Sequence, residues 1–473
     1  MKPCAIWTVL LLSAFAPVGQ AQDAARTELV VAPRGDSLPP LDSHFLGFSY
    51  EKSKLASPFF TGTNEPLIAL FQQLGSGVLR IGANAVDKTH WNLSGPGLTA
   101  GEIAPSDVDR LAKFGQRTGW KIYYGLNFAS NTPQNLVSEA VYAARVLGDR
   151  LEGFELGNEP DLYSRNGLRP PSFAYADFRR EWETYAAAIR AALPSAVLIG
   201  PSTTTGVDNF NRPFSQDEAA RVALLTHHYY RGDGQSPGST VELLLGGDPH
   251  LEKMLADLGT NAKGIPGGFR LAEANSFYNG GAPGVSNAFA AALWSLDFLF
   301  QNALQGSRGV NFHGGNGPGS NGGVPDEHAG GGYTPIADDG KGNVVSVRPV
   351  YYGMALFGRA AHGKLLDVQL QNPVPGLAAY AVKSAGGGLL LVLINKSRSQ
   401  AVQVLVHADH VVSKARSLGL TAPALESASG YALGGAPIEK SGDWAGHFAP
   451  VAVKADGLPI DVPAASAVLV ETE

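Results

Sequence analysis

Phe154-Glu155-Leu156-Gly157-Asn158-Glu159-Pro160-Asp161 is the stretch on which the reading of the chain turns. Leu151, Phe154 and Leu156 predict a strand, and the strand ends in a turn that carries Asn158 and Glu159. A carboxylate lifted to the end of a strand, with an amide beside it and a proline behind it, suits acid/base chemistry. The tripeptide alone does not carry that meaning. Asn64-Glu65-Pro66 has the same letters but precedes Leu67, Ile68, Leu70, Phe71 and Leu74 at helical spacing. There Asn64 reads as a helix N-cap, and Glu65 and Pro66 suit the first helical turn.

Outward from Phe154, strand signals begin near Phe45, Val78, Lys121, Leu151, Ala196, Ala223, Phe269 and Gly309. Helical patterns separate nearly all of them: 106–117, 133–147, 173–192, a shorter one from Gln216, 241–258 and 286–304. Strands alternating with helices predict parallel βαβ units, and eight of them predict a closed (β/α)8 barrel of the TIM type, an α/β fold. The competing layout is an open doubly wound sheet, but no Gly-x-Gly-x-x-Gly opens the first strand–helix turn. A glycine-rich loop at 314–342 follows the eighth strand, where it would close over the active face, and 351–361 reads as the last barrel helix. From Lys364 the pattern changes to short strands at 365–370, 377–382, 388–395 and 401–406 with Gly, Pro, Asn and Ser turns. This predicts a C-terminal β-sandwich, which the helix-free strand at 27–31 also joins. The expected organisation is therefore residues 1–21 as a signal segment, 22–44 as an N-terminal segment with a strand in the sandwich, 45–362 as the barrel, and 363–473 as the sandwich.

The chain has 473 residues, 44% of them hydrophobic and 16% charged, with a net charge of -6. A large core is available. No dense Lys/Arg cluster suggests nucleic acid as a partner. Lys2, the apolar run Ile6–Ala16 and the small-residue site Gly19-Gln20-Ala21 read as a secretory signal, too short to span a bilayer comfortably. The expected destination is the periplasm or the medium, with no membrane attachment after cleavage. Cys4, the only cysteine, would leave with the signal, so neither a disulfide nor a cysteine-based metal site is expected. His227 and His228 are adjacent and would point to opposite faces of a strand, which argues against a two-histidine metal site. No cofactor is expected.

Hydrolysis of a glycosidic bond with retention uses two carboxyl groups about 5–5.5 Å apart. Glu159 follows the fourth predicted strand and Glu273 ends the seventh. Side chains from both C-terminal ends can converge over the barrel axis. A lone glutamate at a strand end also suits a solvated loop, and Glu273 by itself fits either reading. It does stand directly behind Leu271 and Ala272, where burial of a charge needs compensation.

With these residues in hand, the chain resembles the retaining glycosidases of clan A, and more closely glycoside hydrolase family 79, the β-glucuronidases and heparanases. The resemblance rests on Gly47-Phe48-Ser49-Tyr50-Glu51, Leu79-Arg80-Ile81-Gly82, Glu155 to Asp161, His227-His228-Tyr229-Tyr230, the Glu273 segment and Gly331-Gly332-Tyr333. It implies that Glu159 is the general acid/base and Glu273 the nucleophile, that Asn158 bonds the sugar 2-OH, and that Tyr229 holds the nucleophile. Arg80 becomes a buried charge partner beneath the pair, and Glu51 a contact to sugar hydroxyls. Tyr278, Gly280, Gly332 and Tyr333 match the tyrosines and glycine-loop backbone that bind a uronate carboxylate in the family.

The resemblance implies a retaining exo-acting β-glucuronidase with a glucuronide or another uronate-containing saccharide as partner. An endo-acting, heparanase-like enzyme would line its cleft with Lys and Arg. The chain is acidic overall, although folding could gather Lys52, Lys54, Lys88 and Arg165 there. A non-catalytic carbohydrate-binding protein on the same fold is the reading of a different class. So is a surface adhesin using the sandwich, for which residues 364–473 show no aromatic row.

Overall fold

The computed structural model describes residues 24–35, 38–315, 332–408, 410 and 412–473. The expected signal segment, Gly331 and much of the glycine-rich loop lie outside the described residues. Eight strands close into a parallel barrel: Leu46–Glu51, Val78–Gly82, Lys121–Leu126, Leu151–Leu156, Leu198–Thr203, Leu224–Tyr230, Phe269–Asn275 and Val310–Gly314. They are ordered around the barrel as they occur in the chain. The α/β barrel expected from the alternation is the fold observed.

Helices surround it at Glu65–Gln73, Pro105–Thr118, Pro133–Leu147, Tyr175–Ala192, Arg212–Asp217, Pro249–Asn261, Ala290–Leu304 and Pro349–Ala360. Most turn one apolar face to the strands. Ala290–Leu304 is buried nearly all round because the second domain covers its outer side. Two expectations need correction. The helical run at 241–258 is broken into Val241–Leu245 and Pro249–Asn261. Gly246 and Gly247 end the first helix, and the Asp248 carboxylate caps the second by accepting from the Leu251 N–H. The glycine-rich loop at 314–342, read from the sequence as lacking elements of its own, contains the strand Ile336–Asp338, which pairs with Val344–Val347 just beyond it as an antiparallel hairpin.

The barrel floor is polar and tightly fitted. Arg270 donates to Asn311 and to the carbonyls of Phe45, Leu46, His44 and Arg308. A Cβ at Gly47 would lie 2.6 Å from Asn311 and 2.8 Å from Arg270, so the first strand needs glycine there. Above the floor sits a second buried cation, Arg80, which belongs to the site described below.

In the second domain ten strands form one mixed sheet. Its N-terminal strand, Ala25–Pro33, runs antiparallel to Gly363–Gln371 and parallel to Val402–His407. Leu389–Asn395 is apolar without alternation because both of its faces are covered. Leu391 and Leu393 join Leu29, Val404 and Ile460 in the sheet's own core, while Val392 and Ile394 pack with the barrel core. Polar contacts lock the join. Asp297 on the barrel accepts from Lys396 at 2.6 Å and from Tyr380 at 2.6 Å. The N–H groups of Phe289 and Ala290, at the head of a barrel helix, donate to the carbonyls of Ser427 and Leu425. Among the described residues no helix is long and apolar enough to cross a membrane.

Candidate active site

At the C-terminal end of the strands lies a cleft of about 380 Å³, with Glu159 and Glu273 in its walls. Carboxylate oxygens of Glu159 and Glu273 and a ring nitrogen of His228 all lie within 4.8 Å of one another. Opposite staves of the barrel thus bring the two acids to the separation that retention uses.

Glu159 is reached by an unusual backbone. It adopts the left-handed conformation, φ 51° and ψ 56°, which for a residue other than glycine costs on the order of 1–3 kcal/mol. Its N–H is held by the Ser202 carbonyl at 2.8 Å. Asp87 braces the same turn. One oxygen accepts from the N–H groups of Phe128 and Ala129, the other from the Asn158 N–H and the Tyr163 hydroxyl. The strained turn persists because the neighbouring strand ends determine it on every side.

Arg80 is the hub beneath the pair, wholly buried and with its donors distributed. Nε donates to Glu155 at 2.6 Å, Nη1 to Glu273 at 2.8 Å and Ser49 at 3.1 Å, and Nη2 to Asn158 at 2.9 Å and Ser202 at 2.8 Å. Thr226 completes Glu155 by donating at 2.8 Å. Since Arg80 can only donate, Ser202 Oγ accepts from it and has its own proton for His228 Nε2, 2.9 Å away. His228 Nδ1 then donates to Glu159 Oε1 at 2.9 Å. The chain of bonds from Arg80 reaches both carboxylates, and the second oxygen of Glu159 has no protein partner among the described residues.

Burial alone would raise the Glu273 carboxyl. The neighbouring His313, His228 and Arg80 and the Tyr230 hydroxyl outweigh it and hold the group at about 2. Burial lowers His313 itself, whereas the Arg80 guanidinium, bonded to Glu273, keeps its charge. Glu51 shows the opposite balance. Burial and the charge of Glu273 push it up to about 8, against an N–H bond from Ala85. Its Oε1 has no hydrogen-bond partner among the described residues and lies 3.9 Å from His313 Nε2.

The structure brings most of the sequence-derived residues together. Glu159, Glu273, Tyr229, Tyr278 and Tyr333 line the cleft, and Asn158 and Arg80 lie directly beneath the acids. Tyr333 is buried and its ring lies beside that of Tyr230, whereas Tyr278 stands exposed at the rim. Gly280 takes φ 85° in the turn after Tyr278, and the Gly332 carbonyl accepts from Arg348. Neither glycine is part of the cleft lining, nor is Glu51.

One assignment needs correcting. Tyr229 does not hold Glu273, since its hydroxyl donates to Asp248 and its ring stacks on Phe298. The hydroxyl on Glu273 is that of Tyr230, donating to Oε1 at 2.8 Å. Alternation along the strand explains it. His228 and Tyr230 share one face and His227 and Tyr229 the other, where His227 meets Thr203. Sequence reasoning also passed over His228, Ser202, Asp87 and His313. For Tyr230 and His228 that alternation was the available signal.

The Glu159, His228 and Glu273 donors have the spacing of a metal cluster as well, but each residue is already engaged: Glu273 by Arg80 and Tyr230, His228 by Ser202 and Glu159.

No family model matches the chain. A β-glucuronidase of Aspergillus niger is 32% identical over 285 residues, covering 54% of this chain and 49% of the relative. A β-glucuronidase of Neurospora crassa is 27% identical over 277 residues, covering 50% of this chain and 49% of the relative. The chain thus spans about half the length of the curated relatives it matches. Among solved structures, a 4-O-α-L-rhamnosyl-β-D-glucuronidase from Fusarium oxysporum matches with a TM-score of 0.71 at 19% identity, covering 94% of this chain and 99% of the other. A glycoside hydrolase family 51 arabinofuranosidase from Xanthomonas axonopodis pv. citri matches at 0.68 and 17% identity, covering 94% and 100%. At these identities the structural matches speak for the fold. The chain thus shares its TIM-barrel fold with these glycosidase structures, and about half of it is similar in sequence, at low to moderate identity, to two β-glucuronidases.

Proposed function

We propose that the chain is a retaining, exo-acting β-glucuronidase that releases terminal β-D-glucuronic acid by double displacement. The observation that carries this reading is the approach of Glu159 and Glu273 to within 4.8 Å across one cleft. In the first step the Glu273 carboxylate attacks the anomeric carbon. The bond to the leaving oxygen breaks, and Glu159 delivers its proton to that oxygen. In the second, Glu159 takes a proton from water, the water oxygen attacks the same carbon, and Glu273 leaves. The environments suit these roles. Arg80 and Tyr230 keep Glu273 ionised, while Glu159 has one oxygen tied to His228 and the other free for substrate.

Asn158, fixed by Arg80 and by its Nδ2 bond to Asn84 at 3.2 Å, is proposed to meet the sugar 2-OH. Glu51, protonated near neutral pH by virtue of its raised pKa, is proposed to meet ring hydroxyls from the far side. For the uronate carboxylate the proposal is Tyr278, Tyr333 and the backbone at Gly280 and Gly332. Tyr333 supports this reading because it is buried in the cleft wall beside Tyr230, where its hydroxyl proton can be offered to a carboxylate. Both curated relatives are β-glucuronidases, which supports the substrate class.

The test is a panel of 4-nitrophenyl glycosides (β-glucuronide, β-galacturonide, β-glucoside, β-xyloside, α-L-arabinofuranoside), with NMR of the first-formed anomer. Glucuronide hydrolysed fastest, with retention, is the expected result. Preference for a neutral sugar, or inversion, overturns it. Release of internal fragments from a glucuronate-containing polysaccharide would favour the endo-acting reading. On the strength of Lys2, the apolar run and the Gly19-Gln20-Ala21 site, export is proposed as well. Its check is N-terminal sequencing of the protein after fractionation, and an intact N-terminus confined to the cytosol refutes it.

A further inference from the structure

Arg165 is the only lysine or arginine in the cleft lining among the described residues. The other basic residues considered from the sequence are engaged elsewhere or stand off the cleft. Lys52 is buried against Glu139 and the Gly125 carbonyl, Lys54 pairs with Asp338, and exposed Lys88 is not part of the lining. Arg165 forms no hydrogen bond or ion pair with a described residue. It stands exposed on the loop that leaves Glu159, beside Leu162 and Asn166, and faces Thr204 and Thr205 of the next strand's loop. The two loops are tied together through Asp161, whose carboxylate accepts from the Thr204 N–H at 3.2 Å, the Thr205 N–H at 2.7 Å and the Thr205 hydroxyl at 2.8 Å. That carboxylate is committed to the loops and does not neutralise Arg165.

A general acid protonates the leaving oxygen, so the departing group lies on the side of the cleft that carries Glu159 and its loop. We infer that Arg165 forms a binding position for the leaving group, and that the leaving group it fits bears an oxyanion, a carboxylate or a sulfate. The inference rests on the β-glucuronidase reading and adds the chemical class of the aglycone. Its physical basis is local charge balance. The chain carries a net charge of -6 and the cleft holds an ionised Glu273, so an anionic aglycone meets repulsion unless a cation stands where it docks. A guanidinium suits that place because its planar fork matches the two oxygens of a carboxylate or sulfate.

The experiment uses two pairs of aryl β-glucuronides that differ in leaving-group charge: 4-carboxyphenyl against 4-carbamoylphenyl, and 4-sulfophenyl against 4-sulfamoylphenyl. For each pair the ratio of kcat/KM, anionic over neutral, is measured in wild type, Arg165→Lys, Arg165→Gln and Arg165→Glu. The ratio is expected to fall about five- to tenfold in Arg165→Gln, further in Arg165→Glu, and little in Arg165→Lys. Added salt should lower it in wild type more than in Arg165→Gln. A shift confined to one pair identifies the carboxylate, or the sulfonate that stands in for a sulfate, as the matching group. Ratios that are the same in all four proteins overturn this inference and leave the β-glucuronidase reading intact. If wild type hydrolyses none of the four substrates, that reading falls and takes this one with it.

Discussion

The tripeptide Asn-Glu-Pro occurs twice in this chain, and although both prolines open a helical turn, the two glutamates are put to different uses. At Asn64 it opens a surface helix. Glu65 is exposed in the first turn and forms a two-pronged ion pair with Arg117, at 3.0 and 2.8 Å. At Asn158 it ends a barrel strand. Glu159 there takes a left-handed backbone, is largely buried and faces a second carboxylate. Even the asparagines differ. Asn64 sits at the N-cap position but makes no side-chain cap, and its amide instead bridges the carbonyls of Phe59 and Gly342, each at 2.9 Å. Asn158 accepts from Arg80. Chemistry follows from what surrounds a carboxylate more than from its neighbours in sequence.

Mutation can break this contrast. Removing the attacking group, Glu273→Gln, should abolish turnover of a 4-nitrophenyl β-glucuronide, and Glu159→Gln should lower kcat by about 10²–10⁴-fold. Glu65→Gln should leave kcat unchanged. A Glu65 variant as damaged as the Glu159 variant would end the distinction. Next in size comes the tyrosine pair. Tyr230→Phe removes a hydrogen bond to an ionised carboxylate, worth about 1.5–3 kcal/mol, and should lower kcat/KM by about ten- to a hundredfold. Tyr229→Phe, which loses only the bond to Asp248, should be felt mainly as a lower Tm. Steady-state kinetics of the two variants side by side decide which hydroxyl serves Glu273.

A pH series sharpens the contrast among the acids. Glu51 is raised in the folded state to about 8 from the ordinary glutamate value of 4.5. The folded protein therefore binds a proton that the unfolded chain has released. The stabilisation is complete below pH about 4.5 and disappears as pH rises through about 8. Tm of wild type should fall over that window, and Tm of Glu51→Gln should fall less. Parallel curves would refute it. Glu273, lowered to about 2, contributes in the opposite sense: its stabilisation is present above the usual carboxylate range and is lost as pH falls toward 2. Smallest of all, Asn64→Ala removes two loop-binding hydrogen bonds at the surface copy. It should cost about 1–2 kcal/mol, seen as a modest drop in Tm with kcat intact.

Much of the architecture was legible because barrel strands and their helices announce themselves locally. Leu46–Glu51, Val78–Gly82 and Lys121–Leu126 are apolar runs bounded by turns, and Pro133–Leu147 and Tyr175–Ala192 carry a 3.6-residue period. Glu159 and Glu273 stood out for their position at strand ends. Tyr230 did not, because the sixth strand, Leu224–Tyr230, is buried along nearly its whole length and carries a histidine and a tyrosine on each face, so composition does not say which side looks inward. His228, Ser202 and Asp87 were hidden for a related reason. Their side chains' partners lie 26 to 122 residues away in sequence.

The sequence by itself determined the alternation of strands and helices, the β-rich C-terminal domain and two acids at strand ends. Each follows from short-range periodicity or a turn, which a few consecutive residues encode. Only the tertiary structure decided which side chains meet. The seventh strand shifts register between Leu271 and Glu273, and the fifth between Pro201 and Thr203, and such shifts turn side chains between the barrel axis and the helices. Whether Arg80 satisfies both carboxylates, whether Tyr230 or Tyr229 reaches Glu273, and which arginine is left unpaired in the cleft depend on those turns, and closing the barrel is what sets them.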